Sequence, residues 1–268
     1  MIFTMAANPR ISIIFVNYQS VWPLSLALRS LFLVEQELDL FEVIVVNNDN
    51  REQRALEQLA HYLPFRLVSS GTNIGFGQGA NIGASLARGK IIGFLNPDTE
   101  WLEKRLKEVE GFMEKQPVPS ILGFRLVDRE GKQEPWSSGK TPNFAQLFFN
   151  NLPLLGFLRN FSENETLDWV SGGGLFIFRE DFLGLGGFDK DFFLYFEDVD
   201  LCLRAKQRGM AVKCHHRFSL LHSGGKSFSS QSRQKRDFYA SQSLYFHKHR
   251  PAFESVLVRL LHSFFHGL

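Results

Sequence analysis

Four clusters of polar side chains stand where this chain could do chemistry. Asn96-Pro97-Asp98 closes an apolar run, and a carboxylate there is placed for a hard cation, which takes oxygen ligands from carboxylates and substrate phosphates. The same residues could simply turn the chain, or cap the next helix through Asp98 or Thr99. An aromatic block, Phe192-Phe193-Leu194-Tyr195-Phe196, runs into Glu197-Asp198-Val199-Asp200, which puts three carboxylates at the start of a predicted helix. Apolar walls raise a carboxyl pKa and suit the group to proton abstraction, whereas a helix N-terminus favours the ionised form. His222-Ser223-Gly224-Gly225-Lys226-Ser227 sets an imidazole before a small cationic loop. Neutral imidazole can ligate a metal and the loop can meet phosphate oxygens, although a single histidine is more often structural. Asn73-Ile74-Gly75-Phe76-Gly77-Gln78-Gly79-Ala80 contains a G-x-G-x-x-A string. A dinucleotide fingerprint should follow the first strand, and this one follows the third, so we read its small residues as helix-to-sheet packing.

The elements that must carry these clusters alternate. Ile11–Val16 is a β-branched run, followed by a helical pattern over residues 20–35 with Leu24, Leu28 and Leu31 at helical spacing. Phe41–Val46 is a second buried strand that stops at Asn47-Asn48-Asp49-Asn50, and Arg51–Tyr62 reads as an amphipathic helix. Strands at Phe65–Ser69 and Lys90–Leu95 flank a helix over Gln78–Ala87, and a further helix is expected over Trp101–Lys115. Such alternation predicts an α/β fold with an open, mostly parallel sheet flanked by helices, whose ligands sit beyond the carboxyl ends of the strands.

After residue 115 the pattern changes to short strands, Ile121–Val127 and Leu175–Phe178, around a Gly/Pro/Asn-rich stretch over residues 131–165. Within it, residues 144–161 concentrate Phe148, Phe149, Leu152, Leu154, Leu155, Phe157 and Leu158, which suits either a flap facing an acceptor or a helix packed on the core. At the C-terminal end, Phe253, Val256, Leu257, Leu260, Leu261, Phe264 and Leu268 share one helical face. That face is expected to dock on the domain, with contact to a bilayer surface as the other reading. We divide the chain into a domain over residues 1–230 and a helical extension over 231–268.

Composition limits the function. The 268 residues are 44% hydrophobic and 22% charged, an ordinary globular balance. A formal charge of +2 is too small for a chain-wide grip on nucleic acid. Cys202 and Cys214 are read as buried thiols rather than a disulfide framework. The run Ile11–Val16 is too short for a signal-peptide core, and no stretch of about 18 apolar residues spans a membrane. We therefore expect a cytoplasmic location, or a peripheral one on the inner face of the cytoplasmic membrane.

Taken in order, Val16-Asn17-Tyr18, Val45-Val46-Asn47-Asn48, Asn73-Ile74-Gly75-Phe76, Leu95-Asn96-Pro97-Asp98-Thr99, Gly186-Gly187-Phe188-Asp189, Phe193–Leu201 and His222–Gly225 resemble the motifs of inverting family 2 glycosyltransferases with the GT-A fold, and within them a rhamnosyltransferase-like branch. The resemblance covers about residues 11–226 and implies a Rossmann-like nucleotide-diphospho-sugar transferase fold. It implies that Asp98 closes the counterpart of the Asp-x-Asp motif, with Asn96 in place of the first aspartate. A divalent cation, Mg²⁺ or Mn²⁺, would then be held by Asp98 and His222 against the diphosphate of a nucleotide-sugar. Asp198 matches the general base, and its neighbour Glu197 is the alternative. Asn17, Tyr18, Asn47, Asn73, Asp98 and Gly173 are the expected nucleotide-sugar-binding residues.

Where the family usually has Val-Asp-Asn, this chain has Val46-Asn47-Asn48. The Asn47 carbonyl could still accept a hydrogen bond from the nucleotide base, without charge assistance. The wording of the motifs is closest to transfer of L-rhamnose from dTDP-rhamnose to a glycan or lipid-linked glycan. Trp169 and Ser171-Gly172-Gly173-Gly174 are expected near the donor or acceptor, with core packing as the other reading for Trp169. Two rival classes were weighed. A sugar nucleotidyltransferase should carry a Gly-rich, cationic loop after its first strand, and Asn17-Tyr18-Gln19-Ser20 is not one. A non-catalytic sugar-binding module of the same fold would lose its carboxylates, and Asp98 and Asp198 are both present.

Overall fold

The computed structural model describes residues 6–144, 147, 167–222 and 231–266. The expected flap over residues 144–161 lies almost wholly outside the described residues, as do the loop residues 223–227 and Leu268.

The core begins with two strands that carry no polar face. β1 (Ile11–Asn17) and β2 (Phe41–Asn47) are buried at every position, as befits strands covered on both sides by helices. They pair in parallel, Ile11 with Phe41 through Asn17 with Asn47. β3 (Arg66–Ser69) extends this side of the sheet in parallel, and β4 (Ile91–Leu95) pairs in parallel with the other edge of β1. Between them, α1 (Val21–Val34) buries Leu24, Ala27, Leu28 and Leu31, and α2 (Gln53–Ala60) buries Leu56. α3 (Phe76–Leu86) lies close on the sheet: a Cβ added at Gly83 would stand 2.5 Å from Ile14 Cγ2. Only glycine allows that approach, which bears out the packing reading of this Gly-rich helix.

The helix expected over 101–115 starts later. Thr99–Trp101 forms a short strand, β5, and α4 runs over Leu106–Glu114. The buried Glu35 carboxylate accepts from the Leu106 N–H (2.9 Å) and the Trp101 indole (2.9 Å), so helix entry is set by a residue from the end of α1.

β6 (Ser120–Val127) and β9 (Gly174–Phe178) complete the centre, with β9 antiparallel to both β4 and β6. A two-stranded ribbon, β7 (Ser138–Gly139) with β8 (Trp169–Val170), stands beside it. α5 (Arg179–Gly184) and α6 (Glu197–Gln207) follow. β10 (Ala211–His222) is parallel to β6, with a register shift between Cys214 and Ser219, and its last residues turn antiparallel to β5. The sheet order is β3-β2-β1-β4-β9-β6-β10-β5.

Two apolar clusters cover the two faces of this sheet, and each fully buried Ile, Leu or Phe contributes about 1.5–3 kcal/mol. A third cluster joins Phe192, Phe196 and Val199 to Tyr245, Phe246 and Val258. It packs the helical hairpin of α7 (Gln231–His249) and α8 (Ala252–His266) against the segment that leads into α6. The predicted apolar face of α8 is divided. Leu261 is buried and Leu257 partly so, but Phe253, Val256 and Leu260 are exposed, while Val258, outside the predicted face, is buried. Glu254, Ser255 and His262 take the inner side because partners wait there: His262 meets Gln242 (2.7 Å) and Ser243 (3.1 Å), and Glu254 meets Arg250 (2.8 Å). Among the described residues no helix is long and apolar enough to cross a membrane. Both cysteines are free; burial pushes the Cys202 thiol up to about 12 and that of the partly buried Cys214 up to about 11.

Candidate active site

The candidate site gathers at the carboxyl ends of β1, β2 and β4. Sheet register brings Asp98 and His222 together. Thr99 pairs with His222 across β5 and β10, so the residue before Thr99 stands beside the imidazole. His222 Nε2 lies 3.3 Å from Asp98 Oδ1. The other ring nitrogen, Nδ1, lies 2.6 Å from Glu134 Oε2. Glu134 was not foreseen. It arrives by a turn at Asp128–Gly131 that folds residues 133–134 back on β6, where Glu134 N–H donates to Leu126 O (2.8 Å). Leu126 in turn pairs with Leu220 of β10, two residues before His222. Burial alone would lower the His222 pKa, but hydrogen bonds and charge from Asp98 and Glu134 outweigh it and raise the pKa to about 9.

Asp198 connects to the same corner of the chain through a glycine segment. Its Oδ2 accepts from Gly172 N–H at 2.9 Å. The next residue, Gly173, accepts from Asn96 N–H at 3.2 Å through its carbonyl. A Cβ at Gly173 would stand 2.7 Å from Asn96 Nδ2, so the segment between β8 and β9 ties Asp198 to the Asn96-Pro97-Asp98 corner.

The two adjacent carboxylates are unlike. Burial raises the pKa of Asp198, opposed by hydrogen bonds from Gly172 and Val199 N–H groups. Burial raises Glu197 well above the carboxylate range, and the charge of Asp198 raises it further. Its Oε2 is buried without a hydrogen-bond partner, and its side chain lies toward Gly77 of α3. Backbone donors thus hold the ionised form of Asp198, whereas burial and the charge of Asp198 favour the neutral form of Glu197.

The approach to α6 is strained and braced. Tyr195 (φ 68°) and Phe196 (φ 66°) are both left-handed, a conformation that costs about 1–3 kcal/mol at a non-glycine residue and persists only when its surroundings impose it. They do so here. Phe193 O accepts from Phe76 N–H (3.0 Å), Leu194 O from the Ser241 hydroxyl (2.7 Å), and the Tyr195 phenol oxygen from Gln234 Nε2 (2.9 Å). Burial, then the charges of Glu197, Asp237 and Asp98, push the Tyr195 phenol up. Buried Asp200 accepts from Arg204 (2.8 Å) and lies 2.7 Å from His249 Nε2, which anchors α6 to α7.

At the β1 and β2 ends, Asn17 and Asn47 are fully buried and bonded to one another (3.1 Å). Asn47 Oδ1 also accepts from Asp49 N–H (3.0 Å), while its Nδ2 donates to Asp49 O and Gln53 Oε1, both 2.9 Å. All its hydrogen-bonding capacity is spent within the protein, so the expected bond from Asn47 to a base has no free acceptor here. The physical reason is Gln53 and Asp49, which lie only six and two residues away. Glu52, also unforeseen, accepts from Asn17 Nδ2 (2.8 Å) and Ser20 N–H (3.1 Å) and so holds the β1 end. Asn48 Oδ1 is buried without a partner. Tyr18 is partly buried at the rim, and Asn73 Oδ1 accepts from Gly75 N–H (3.1 Å). Trp169 donates to Lys140 O (2.9 Å) and covers Gly139, so its place is in the β7–β8 ribbon.

No group of three or more His, Cys, Asp or Glu side chains among the described residues is arranged to hold a metal ion. Asp98 and His222 still fit a divalent cation as a two-ligand set, an oxygen and a nitrogen converging with Glu134 behind the ring. Substrate phosphates commonly complete such sites.

An α/β sheet with acidic groups gathered at the carboxyl ends of its strands defines the architecture of a GT-A nucleotide-diphospho-sugar transferase. The search of solved structures agrees on the fold: a mannosyltransferase from Pyrobaculum calidifontis, solved with GDP-Man and Mn²⁺, superposes with a TM-score of 0.64 at 17% identity, over 96% of this chain and 70% of that one. The model for glycosyl transferase family 2 matches residues 12–185, and the chain belongs to that family. It is 27% identical to the O-antigen biosynthesis protein RfbC of Myxococcus xanthus over 91% of its own length, and spans 20% of that protein. It is also 27% identical to rhamnosyltransferase WbbL of Escherichia coli, over 70% of this chain and 76% of the relative.

Proposed function

We propose that this protein is an inverting glycosyltransferase that moves L-rhamnose from dTDP-rhamnose to a hydroxyl of a glycan or lipid-linked glycan, in the cytoplasm or at the inner face of the cytoplasmic membrane. Residues 1–230 form the catalytic domain in this reading, and 231–268 an extension that braces it. The observation that supports it is the tie from Asp198 through Gly172 and Gly173 to Asn96, two residues before Asp98 of the Asp98–His222 pair. The rhamnosyl donor rests on the likeness to the E. coli rhamnosyltransferase.

Asp198 accepts the proton of the acceptor hydroxyl as that oxygen attacks the anomeric carbon. The bond from that carbon to the phosphate oxygen breaks on the opposite side, so configuration inverts and the nucleoside diphosphate leaves with the electron pair. Each Asp198 oxygen already takes one backbone N–H and keeps a second lone pair for this proton. Burial favours the neutral form of Glu197, which would add no second negative charge beside Asp198. Asp98 and His222 would hold a divalent cation, Mg²⁺ or Mn²⁺, which when bound would stabilise negative charge on the departing phosphates. Tyr18 and Asn73 line the nucleotide side, with Asn17 and Asn47 as its floor, and Gly173 keeps the space beside Asn96 open.

The test is thermal stabilisation by a panel of dTDP-, UDP- and GDP-sugars, each with and without Mn²⁺ or Mg²⁺, because a ligand of the native state must stabilise it. The reading expects stabilisation by dTDP-rhamnose that depends on the cation, followed by release of dTDP when an acceptor is supplied. Stabilisation by a UDP- or GDP-sugar in its place would overturn the donor assignment.

A further inference from the structure

The terminal helix α8 leaves part of its apolar surface outside the domain. Its inner side carries Val258 and Leu261 together with Glu254, Ser255 and His262, all buried, with Glu254 paired to Arg250 and His262 bonded to Gln242. Its outer side carries Phe253, Val256 and Leu260, which are 64%, 47% and 61% exposed. These three stand at i, i+3 and i+7 and so form one stripe. Amphipathic helices that pack only within their own domain place such a stripe inward; here the inner side is shared by Val258 and Leu261 with polar groups held by Arg250 and α7, and a second apolar stripe is left to the surroundings.

The charge of the hairpin points to what those surroundings are. Residues 231–268 contain six Lys and Arg against two Asp and Glu, a net charge of +4 in a chain whose total is +2, which leaves residues 1–230 at −2. The acids of the hairpin are withdrawn, Glu254 buried and Asp237 partly so, whereas Arg233, Lys235, Arg236 and Arg259 are exposed. An exposed apolar stripe on a cationic hairpin matches an interface of acyl chains beneath anionic headgroups. A second copy fits less well, because a two-fold contact sets each patch against itself and would bring like charges together.

We infer that the Phe253–Val256–Leu260 face of α8, with the cations of the α7–α8 hairpin, is a docking surface for an anionic lipid bilayer. Docking there holds the site close to the membrane, since Gln234 of α7 bonds the Tyr195 phenol two residues before Glu197. The inference does not need the rhamnosyl donor and is read without any nucleotide present.

The experiment is co-sedimentation of the full chain with vesicles of phosphatidylcholine alone and of phosphatidylcholine mixed with phosphatidylglycerol, with light scattering in the same buffer. Binding to the mixed vesicles is expected, at least about tenfold stronger than to phosphatidylcholine alone. Phe253→Ser/Val256→Ser/Leu260→Ser should weaken that binding by about tenfold or more with an unchanged melting temperature, because all three side chains are already exposed. Lys235→Glu/Arg236→Glu, which leaves the stripe intact, should remove most of the preference for the anionic lipid. Equal binding by the triple variant and the parent would overturn the proposal. So would a parent that ignores vesicles yet is dimeric, with the triple variant monomeric, because the stripe would then belong to a second copy.

Discussion

The Asp198 carboxylate accepts a 2.9 Å hydrogen bond from the backbone N–H of Gly172. That bond links the first turn of one helix to a glycine turn whose next residue holds Asn96. It orients one carboxylate of the Glu197-Asp198 pair toward the strand end bearing Asp98, while the other lies against Gly77. Adjacent identical groups thus receive different surroundings, and from these their different duties follow.

Replacing Asp198 by Asn should lower transfer by about 10²–10⁴-fold, the usual worth of a general base, and leave nucleotide-sugar binding within a few-fold. Glu197→Gln should keep most of the activity, since burial favours the neutral form of this side chain and an amide is neutral as well. Steady-state rates beside calorimetric donor binding check both. Turnover that survives Asp198→Asn and dies with Glu197→Gln would reverse the assignment.

Gly75 has φ +86°, and a Cβ there would run into the Phe193 carbonyl oxygen. Gly75→Ala must therefore either strain its own backbone or push away the segment that carries Tyr195 and Phe196 into α6. We expect a loss of about 1–3 kcal/mol in denaturant unfolding together with a fall in kcat. A variant with parental stability and rate would show that this contact does not position α6.

Much of this site was legible in the sequence because its parts end buried strands. The runs closed by Asn17, Asn47 and Asn96 announce strand termini in a parallel sheet, where ligands collect. The structure places those residues at such ends. Asp98 and His222 were joined only through the family resemblance, because the element that brings them together is the three-residue β5, which pairs with residues more than a hundred positions away. Glu134 gave no local signal for the same reason. Asn47 was read as free because sequence shows what a side chain can bond, and not that Asp49 and Gln53 already occupy it. The face of α8 was misdivided because helical periodicity sorts residues by polarity, whereas Glu254 and His262 are drawn inward by partners on α7 and at its end.

Glu134 should matter without touching substrate. A carboxylate on the far nitrogen of a metal-binding histidine fixes the ring and its tautomer, and losing it commonly costs about 10–100-fold in metal affinity. Glu134→Ala is expected to weaken Mn²⁺ binding, followed by electron paramagnetic resonance, by that order. Glu134→Gln, which can still accept from Nδ1–H, should recover part of it. Parental affinity in Glu134→Ala would leave the residue a merely structural role.

His222 predicts a pH dependence whose sign can be worked out. Its pKa is about 9 in the folded protein against 6.5 for the unperturbed group. A raised folded pKa means that the folded state holds the proton more tightly, so the stabilisation is complete below pH 6.5 and is lost as pH rises through about 9. In the metal-free protein, stability should fall across that window by an amount on the order of 2 kcal/mol, and His222→Gln should flatten the fall. A divalent cation reverses the trend, since a ligating imidazole must be neutral and binding has to expel this proton. Mn²⁺ affinity should therefore climb with pH until about 9 and then level off. Denaturant titrations with chelator and calorimetry with Mn²⁺ read the two arms separately. An affinity that is flat between neutral pH and 9 would remove His222 from the cation site while leaving its ion pair with Asp98 in place.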